Sequence, residues 1–462
     1  MKDYFGYAPA LIVPRIVSVL ILIIFARILS PEEIGLYALV ILIGEYLDTV
    51  FCRWIRSGYT RLYFAFREQG RAIDRAVLIL TAPGLVLSIP CAFAYAGVSD
   101  NLDMKWASLL CLYVIANFIL YQGLQFLRVR GMRGTYLIIE VGRSAIGFLF
   151  AFVLASLIAP RYEWLIIGTQ SLTLIAAAWL LNRMLLADRK GRLDRLLIKQ
   201  LWHYSGPLVL AYFLAGTTLV IDRVMLEQLA GPALLGVYVV SYQLSRPTID
   251  ILFNIINVGG FPKLVAAYES EGDSGAQRVL YQKSVAISLV TFPVLGFIIT
   301  SSAQITELLL KDDFAAVAPL TIVITAVSTF LRGWVRFCVD QIFLLRRTTL
   351  DQVWNLLPSI FVTALLAFVL IPLHGVYGAA SAVLAGSVTE TVFAVWRARR
   401  RMWFRIVGRE VWIILATSFL GSTVIWGVAN TTGILGWMGA SVVIAALYAL
   451  AMKRFGIFKV LK

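Results

Sequence analysis

Charged side chains, histidines and cysteines are all scarce in this sequence of 462 residues. Only 15% of the residues are charged, whereas about a quarter are charged in a typical soluble domain. The two histidines, His203 and His374, stand far apart, and no phosphate-binding glycine loop or nucleophile elbow accompanies them. The four cysteines show no spacing typical of metal ligands or a disulfide framework. We therefore expect no enzymatic activity, no cofactor or metal, and no ATP hydrolysis by the chain itself.

Apolar residues, in contrast, make up 60% of the chain and occur in runs of about twenty. In lipid, each backbone N–H and C=O must find a partner within its own segment, so such runs form helices. The sequence predicts an all-α polytopic membrane protein with about fourteen spans. The predicted spans are 6–28, 35–56, 76–97, 106–127, 136–158, 164–186, 204–225, 234–258, 284–303, 317–345, 353–372, 376–396, 410–428 and 434–452.

The basic residues indicate how the chain is oriented in the membrane. The net charge is +15, and most of the 41 lysines and arginines fall in even-numbered loops or at the two termini. By the positive-inside rule, these loops and both termini lie in the cytoplasm. Because the cations flank spans and do not form one patch, we expect no nucleic-acid partner.

A repeated motif suggests an internal duplication. Residues 31–37 read Pro-Glu-Glu-Ile-Gly-Leu-Tyr, and residues 232–238 read Pro-Ala-Leu-Leu-Gly-Val-Tyr. Proline and glycine also mark turns by chance, but the motif occupies the same place in both halves. We predict parallel six-helix lobes over 1–186 and 204–396, followed by an extra helix pair over 397–462.

The predicted lobes are joined by a polar connection at residues 187–203. This segment is expected to form a cytoplasmic amphipathic helix on the inner membrane surface. The leucines assigned to its apolar face are Leu193, Leu196, Leu197 and Leu201.

Ionisable side chains inside the predicted spans are the strongest functional signal. Such a group at the bilayer centre costs at least ~2.5–3.5 kcal/mol on insertion scales, so it normally faces a cavity or a partner. In the eighth span, polar residues three or four positions apart form one helical stripe. We interpret the stripe as one wall of a water-filled lumen, with a polar helix–helix seam as the alternative. Its members are Gln243, Arg246, Asp250, Asn254 and Asn257.

The second span carries Glu45 and Asp48, and Glu45 occupies the repeat position of Arg246. These two opposite charges would face each other if the pseudo-symmetric helices line a central cleft. Alternatively, each charge pairs within its own half, Glu45 with Arg15 and Arg246 with Asp250. The sequence leaves both interpretations open.

The tenth span places Arg332, Arg336 and Asp340 four residues apart on one face. Guanidinium groups offer planar, bidentate donors to phosphate or carboxylate, so the two arginines suit an anionic headgroup, as does Arg15. A structural Arg336–Asp340 ion pair is the alternative. Three further residues near span ends are expected to be structural: Glu140, Arg143 and Asp222. The predicted cavity residues that bind substrate are Arg15, Gln243, Arg246, Asn254, Asn257, Arg332 and Arg336.

Two segments resemble bacterial polysaccharide transporters. Residues 26–39, Ala-Arg-Ile-Leu-Ser-Pro-Glu-Glu-Ile-Gly-Leu-Tyr-Ala-Leu, are similar to the end of the first span in oligosaccharide flippases. These flippases belong to the multidrug/oligosaccharidyl-lipid/polysaccharide exporter superfamily. Residues 371–382, Ile-Pro-Leu-His-Gly-Val-Tyr-Gly-Ala-Ala-Ser-Ala, resemble the family's Pro-x-x-Gly-x-x-Gly-Ala-Ala pattern. Many members have twelve spans, and the extra terminal pair resembles the lipid II flippase branch.

The resemblance implies two lobes that rock around a central cavity, lined largely by the first, second, seventh and eighth spans. It also implies the cargo, which is an undecaprenyl-diphosphate-linked oligosaccharide repeat unit flipped across the bacterial cytoplasmic (inner) membrane for cell-surface polysaccharide biosynthesis. Other implied partners are membrane lipids, a proton or sodium counter-ion, and a polysaccharide polymerase with chain-length proteins. Ion coupling would need a titratable carboxylate, for which the candidates are Glu45, Asp48, Asp250 and Asp340.

Two other functions remain open at this point. One is a cation-coupled antiporter of drugs or other small molecules with the same fold, whose lumen should be dominated by acids. The other is a membrane-embedded glycosyltransferase or polymerase, although such enzymes typically have longer outer loops than those predicted here.

Overall fold

The computed structural model describes residues 17, 20, 23–68, 72–187, 195–315, 317–346, 348 and 350–457. Within these ranges every regular element is a helix, and twelve helices are long and apolar enough to cross a membrane. The predicted all-α polytopic fold is therefore confirmed. The first predicted span, 6–28, lies mostly outside the described residues, so the count of fourteen and the orientation stay predictions.

The chain divides into two compact units, of which the first comprises residues 1–236. After a helical stretch at 23–26, its helices follow in chain order. They are α1 (Pro31–Phe51), α2 (Arg53–Glu68), α3 (Ile73–Val98), α4 (Met104–Val129), α5 (Arg133–Leu157), α6 (Tyr162–Ala187), α7 (Arg195–Ser205) and α8 (Leu208–Ala230).

The second unit comprises residues 237–462, and all but the first turn of α9 lies in it. The predicted division into lobes, linker and terminal pair stays a prediction. The elements are α9 (Pro232–Thr300), α10 (Ser302–Leu309), α11 (Asp312–Ala315), α12 (Ala318–Trp334), a π-helical turn (Val335–Val339), α13 (Asp340–Leu345), α14 (Leu350–His374), α15 (Val376–Arg401) and α16 (Arg409–Arg454).

Two of these helices are too long for a single membrane crossing, which needs about 20 residues. Helix α9 has 69 residues and α16 has 46, and each is interrupted at one glycine with a left-handed backbone. The φ angles are 64° at Gly272 and 70° at Gly433, values that glycine adopts without a steric penalty. Each glycine lies between two of the predicted spans, so each long helix contains two apolar segments.

The repeated motif of residues 31–37 and 232–238 forms a close backbone crossing. A Cβ atom on Gly35 would overlap the carbonyl oxygen of Pro232, and a Cβ atom on Gly236 would overlap that of Pro31. The contact is therefore reciprocal between Gly35 and Gly236. Glycine is required at both positions because no side chain fits between the backbones.

The amphipathic helix α7 closes the core of the first unit. Leu197 and Leu201 are buried, and Trp202 makes an edge-to-face contact with Trp54 of α2 at 5.1 Å between ring centroids. Leu196, which we assigned to the same apolar face, is exposed, because one residue along a helix turns by about 100°. Leu193 lies outside the described residues.

The helix α16 packs against the second half of α9 within the second unit. The Trp437 indole stacks on Phe297, with ring centroids 5.7 Å apart, and donates a 2.7 Å hydrogen bond to the Ser301 hydroxyl. Closer to the end of α16, the Tyr448 hydroxyl donates to the Leu289 carbonyl at 2.9 Å. The half of α16 that follows Gly433 is thus fixed to α9 at two places.

We expect Gly35→Ala to destabilise the protein, because the added methyl group must push two backbones apart at a cost of about 1–3 kcal/mol. The measurement is the midpoint of thermal unfolding in detergent, followed by tryptophan fluorescence. Gly97→Ala is the matched control, since Gly97 is exposed in α3 with open space at its Cβ position. That control should be neutral or slightly stabilising. Equal midpoints for the two variants would contradict the close crossing.

Candidate functional site

A polar cavity of about 320 Å³ lies in the first unit, where α1 and α4 end and α5 begins. Helix α2 begins at the same place and contributes its first turn. The ionisable residues that line the cavity are three arginines and three carboxylates: Arg53, Arg56, Arg128, Glu45, Asp48 and Glu140. By the predicted orientation, this end of the helices is the cytoplasmic end.

Glu45 is held by two phenol groups of α4. Its Oε1 atom accepts hydrogen bonds from the Tyr113 hydroxyl at 2.8 Å and from the Tyr121 hydroxyl at 2.6 Å. These donors carry no charge, so they orient the carboxylate without neutralising it. The predicted alternative partner of Glu45, Arg15, lies outside the described residues.

Asp48 forms a bidentate ion pair with Arg56, which joins α1 to α2. The Arg56 Nη1 atom lies 2.7 Å from Asp48 Oδ1, and Nη2 contacts Oδ2. The Asp48 side chain is buried, and the Arg56 guanidinium also lies over the Tyr121 ring at 5.5 Å from its centroid. A pair this well enclosed fixes the geometry of the cavity wall.

Glu140, near the start of α5, is paired with the arginine one turn further along. The Arg143 Nε and Nη2 atoms lie 3.0 and 2.7 Å from the two Glu140 carboxylate oxygens. This ion pair is the kind of structural role that we expected for both residues. In addition, Glu140 lines the cavity, which the sequence analysis did not predict.

Arg53 and Arg128 differ from the other ionisable residues that line the cavity. Neither forms an ion pair with any residue that the structure describes. Both are exposed, and the Arg53 guanidinium lies over the Tyr212 ring at 5.4 Å from its centroid. Since the three acids are held by hydroxyl groups or other arginines, these two cations remain available to an anionic ligand.

Sequence reasoning missed the arginines of this cavity. Arg53 and Arg56 lie at the end of the second predicted span, and Arg128 directly follows the fourth, but none of the three was among the predicted cavity residues. The available signal was the position of Arg53 and Arg56 in the same predicted span as Glu45 and Asp48. For Arg128, no pattern in the sequence points to the cavity, because its approach to α1 and α2 depends on tertiary packing.

The predicted polar stripe of the eighth span lies on α9 in the second unit. Arg246 Nε is 3.1 Å from Asp250 Oδ2, which is the i, i+4 pair of our second interpretation. The Asn254 amide donates to the Asp250 carbonyl at 2.7 Å, and Gln243 is half-buried. Much of the stripe's polarity is therefore satisfied within α9 itself.

Asn257, at the end of the stripe, bonds to a lysine that we had placed outside the spans. The Lys283 Nζ atom donates to Asn257 Oδ1 at 2.6 Å and to Gln341 Oε1 at 3.4 Å. Only 3% of Lys283 is exposed. A buried ammonium group close to a π-helical turn was not predicted, because the sequence places this lysine at a helix boundary.

The π-helical turn also explains why one alternative for the tenth span is wrong. Among the described residues, no ion pair joins Arg336 to Asp340, although they are four positions apart. A π-helical turn between Val335 and Val339 breaks the α-helical register on which that pairing depends. Arg336 is exposed, and the Oδ1 atom of Asp340 is buried with no hydrogen-bond partner.

Arg332, one turn earlier, bonds to α15. Its Nε atom donates to the Ser387 hydroxyl at 3.0 Å and lies 3.9 Å from Glu390 Oε2. The predicted site residues therefore separate between the two units. Glu45 and Asp48 line the polar cavity of the first, whereas Arg246, Asp250, Arg332 and their neighbours belong to the second. The roles predicted for these residues stay predictions.

Comparison with known proteins supports the resemblance stated from the sequence. Residues 107–319 match the family model described as "Polysaccharide biosynthesis protein". No curated protein matches the chain in sequence. The fold is similar to that of solved flippases and transporters, and the family match agrees with the resemblance to polysaccharide transporters.

Three solved structures illustrate the likeness in fold. The lipid II flippase MurJ in an inward closed conformation has a TM-score of 0.76 and 12% identity, over 98% of this chain and 99% of that chain. An inward-facing multidrug resistance MATE family transporter has a TM-score of 0.61 and 16% identity, over 89% and 99%. An outward-facing MATE family transporter has a TM-score of 0.56 and 14% identity, over 87% and 95%. At these identities the likeness shows the fold alone.

Removing one partner of the Asp48–Arg56 pair should destabilise the protein by about 3–5 kcal/mol, because an uncompensated charge would remain buried. We expect Asp48→Asn and Arg56→Gln each to lower the midpoint of thermal unfolding. The exchange variant D48R/R56D should recover part of the loss.

Arg278→Gln is the control for this experiment, because it breaks an exposed ion pair with Glu271 in α9. Exposed pairs contribute little, so its unfolding midpoint should not change. If Asp48→Asn behaved like this control, the pair would not be the structural contact described here.

Proposed function

We propose that the chain is a flippase for undecaprenyl-diphosphate-linked oligosaccharide repeat units, which it moves across the bacterial cytoplasmic membrane. The observation that carries this proposal is the polar cavity of the first unit, with Arg53 and Arg128 outside any ion pair in the described ranges. The family match to polysaccharide biosynthesis proteins and the MurJ-like fold support the same class of cargo.

The chemistry of the cavity suits a diphosphate. Each phosphate presents oxygens to which a guanidinium fork donates two parallel hydrogen bonds, and such charge-assisted bonds are strong. Arg53 and Arg128 approach from different helices, α2 and α4, so together they can clamp an anion. Arg56 is less available, because its fork already holds Asp48.

Neutral polar groups of the same cavity suit a sugar. Tyr121, Tyr136 and Gln125 line it beside the arginines, and Tyr121 already has its hydroxyl fixed by Glu45. Rings of this kind pack against sugar faces while amides and hydroxyls bond to sugar hydroxyls. The polyprenyl tail would stay in the bilayer, since the cavity offers it little apolar surface.

The predicted orientation places the cavity where a cargo would load from the cytoplasm. The cycle would then be alternating access, with a MurJ-like fold that passes between inward and outward states. A proton or sodium counter-ion and a polysaccharide polymerase with chain-length proteins remain part of the proposal as predicted partners.

A cation-coupled antiporter of drugs or small molecules is the second candidate, favoured by the fold shared with MATE family transporters. An organic cation would need an acid that is free to pair with it. In the cavity, Asp48 and Glu140 are paired with arginines, and Glu45 accepts two tyrosine hydrogen bonds. The balance of charge therefore favours an anionic cargo.

Loss of the gene should trap lipid-linked repeat units in the cytoplasmic leaflet. Intact right-side-out and inside-out vesicles are treated with a membrane-impermeant oxidant. The lipid is then extracted, and the fraction of its sugar that was oxidised is compared between the two kinds of vesicle. Protection in right-side-out vesicles supports the flippase. Exposed but unpolymerised units would favour a polymerase, and unchanged lipids with raised drug sensitivity would favour the antiporter.

The double variant R53Q/R128Q should lower polysaccharide export by at least about tenfold while the protein inserts normally, since each lost charge-assisted contact contributes about 1.5–3 kcal/mol. Membrane levels by immunoblot and surface polysaccharide by quantitative sugar analysis are the two readouts. R278Q/R346Q removes the same charge from the second unit and should retain export. Normal export by R53Q/R128Q would overturn the headgroup site.

A further inference from the structure

An apolar groove with a basic rim lies in the second unit, where α15 ends and the extended segment 402–408 follows. Two adjoining cavities, of about 480 and 520 Å³, share Val395 and Arg399 in their walls. The apolar walls also include Trp334, Trp396 and Trp403. Trp396 is 47% exposed and Trp403 is 67% exposed, so these indole rings face outward and not into a closed core.

The arginines around this groove fall into two classes. Arg397 and Arg401 reach Asp351 of α14, at 3.9 and 2.9 Å, and so fix α15 to its neighbour. In contrast, Arg399 and Arg400 form no ion pair within the described ranges. The Arg400 guanidinium stacks over the Trp396 ring at 3.8 Å from its centroid.

Arg405, from the extended segment, completes the basic rim. Its Nε atom donates to the Val407 carbonyl at 3.3 Å, which orients the guanidinium and leaves its terminal nitrogens without an ion-pair partner among the described residues. The acid nearest along the chain, Glu410, accepts a hydrogen bond from the Tyr281 hydroxyl. Arg405 also interacts electrostatically with Glu410, but it forms no ion pair with a described residue. Three guanidinium groups, those of Arg399, Arg400 and Arg405, thus lie beside apolar walls outside any such ion pair.

We propose that this groove is a binding site for one anionic glycerophospholipid. The phosphate would lie between Arg399 and Arg405, and an acyl chain would follow the tryptophan-lined wall. Clusters of cations next to a membrane span attract anionic headgroups, and tryptophan is the residue typical of the membrane–water boundary.

The combination of features identifies the occupant. A soluble anion would use the arginines but has no need for exposed tryptophan and valine walls. A neutral lipid would use the walls but leave the arginine charges uncompensated. The site shares no residue with the polar cavity of the first unit.

The experiment uses the purified full-length chain in detergent, titrated with phospholipids that carry bromine on the acyl chain. Bromine quenches tryptophan fluorescence on contact, so quenching reports a chain beside Trp396 and Trp403. Brominated phosphatidylglycerol should quench at an approximately tenfold lower concentration than brominated phosphatidylcholine. Trp403→Phe should reduce the amplitude of the quenching without changing the headgroup preference.

The double variant R399Q/R405Q should abolish the preference for phosphatidylglycerol, and R399K/R405K should retain most of it. The matched control is R278Q/R346Q, which removes the same charge elsewhere in the second unit and should bind phosphatidylglycerol as the wild type does. Equal quenching by both lipids, or a preference that persists in R399Q/R405Q, would overturn the proposal. Displacement of the brominated lipid by glycerol 3-phosphate at similar concentrations would also overturn it, in favour of a soluble anion.

Discussion

The hydrocarbon of a bilayer offers no water, so each ionisable group that enters a membrane helix must find its partner inside the protein. In the first unit, this constraint accounts for much of the packing. Asp48 forms an ion pair with Arg56, which joins α1 to α2. Asp74, at the start of α3, forms an ion pair with Arg130 and accepts a hydrogen bond from the Tyr59 hydroxyl. These two contacts join α2, α3 and the end of α4. Each buried acid therefore fixes at least two chain segments.

A third acid shows that the partner need not be charged. Glu227, fully buried near the end of α8, accepts hydrogen bonds from the Tyr95 hydroxyl at 3.1 Å, the Ser99 hydroxyl at 2.5 Å and the Asn101 amide at 3.2 Å. These donors lie at or just after the end of α3. Hydroxyls and amides thus hold α8 against the α3–α4 connection, just as tyrosines hold Glu45. Against this background of satisfied acids, Arg53 and Arg128 form no ion pair with a described residue, and this is why the proposed headgroup site is assigned to them.

The sequence predicts well those features that depend on local periodicity. Apolar runs located the membrane helices, and a spacing of four residues gave the Arg246–Asp250 pair as one of two interpretations. It fails where a local irregularity or a distant contact decides the outcome. Arg336 lies in a π-helical turn that ends one residue before Asp340, and tertiary packing brings Arg128 to the helices that carry Glu45 and Arg56. Neither effect leaves a periodic signal, so the charge pattern alone could not decide between the alternatives for the tenth span or bring Arg128 into the site.

The extra helix pair at the C-terminus is an integral part of the second unit and not an appendage. The buried core formed by Val285, Val411, Ile414 and Met452 joins both ends of α16 to α9. Further along, Trp437 bonds to Ser301, and the Ser284 hydroxyl donates to the Ile406 carbonyl at 2.6 Å. These contacts all involve the half of α9 that follows Gly272. The stripe with Arg246 and Asp250 lies in the other half, before Gly272. A movement of the stripe relative to the half held by these contacts would have to be accommodated at Gly272, where the backbone already departs from a helix.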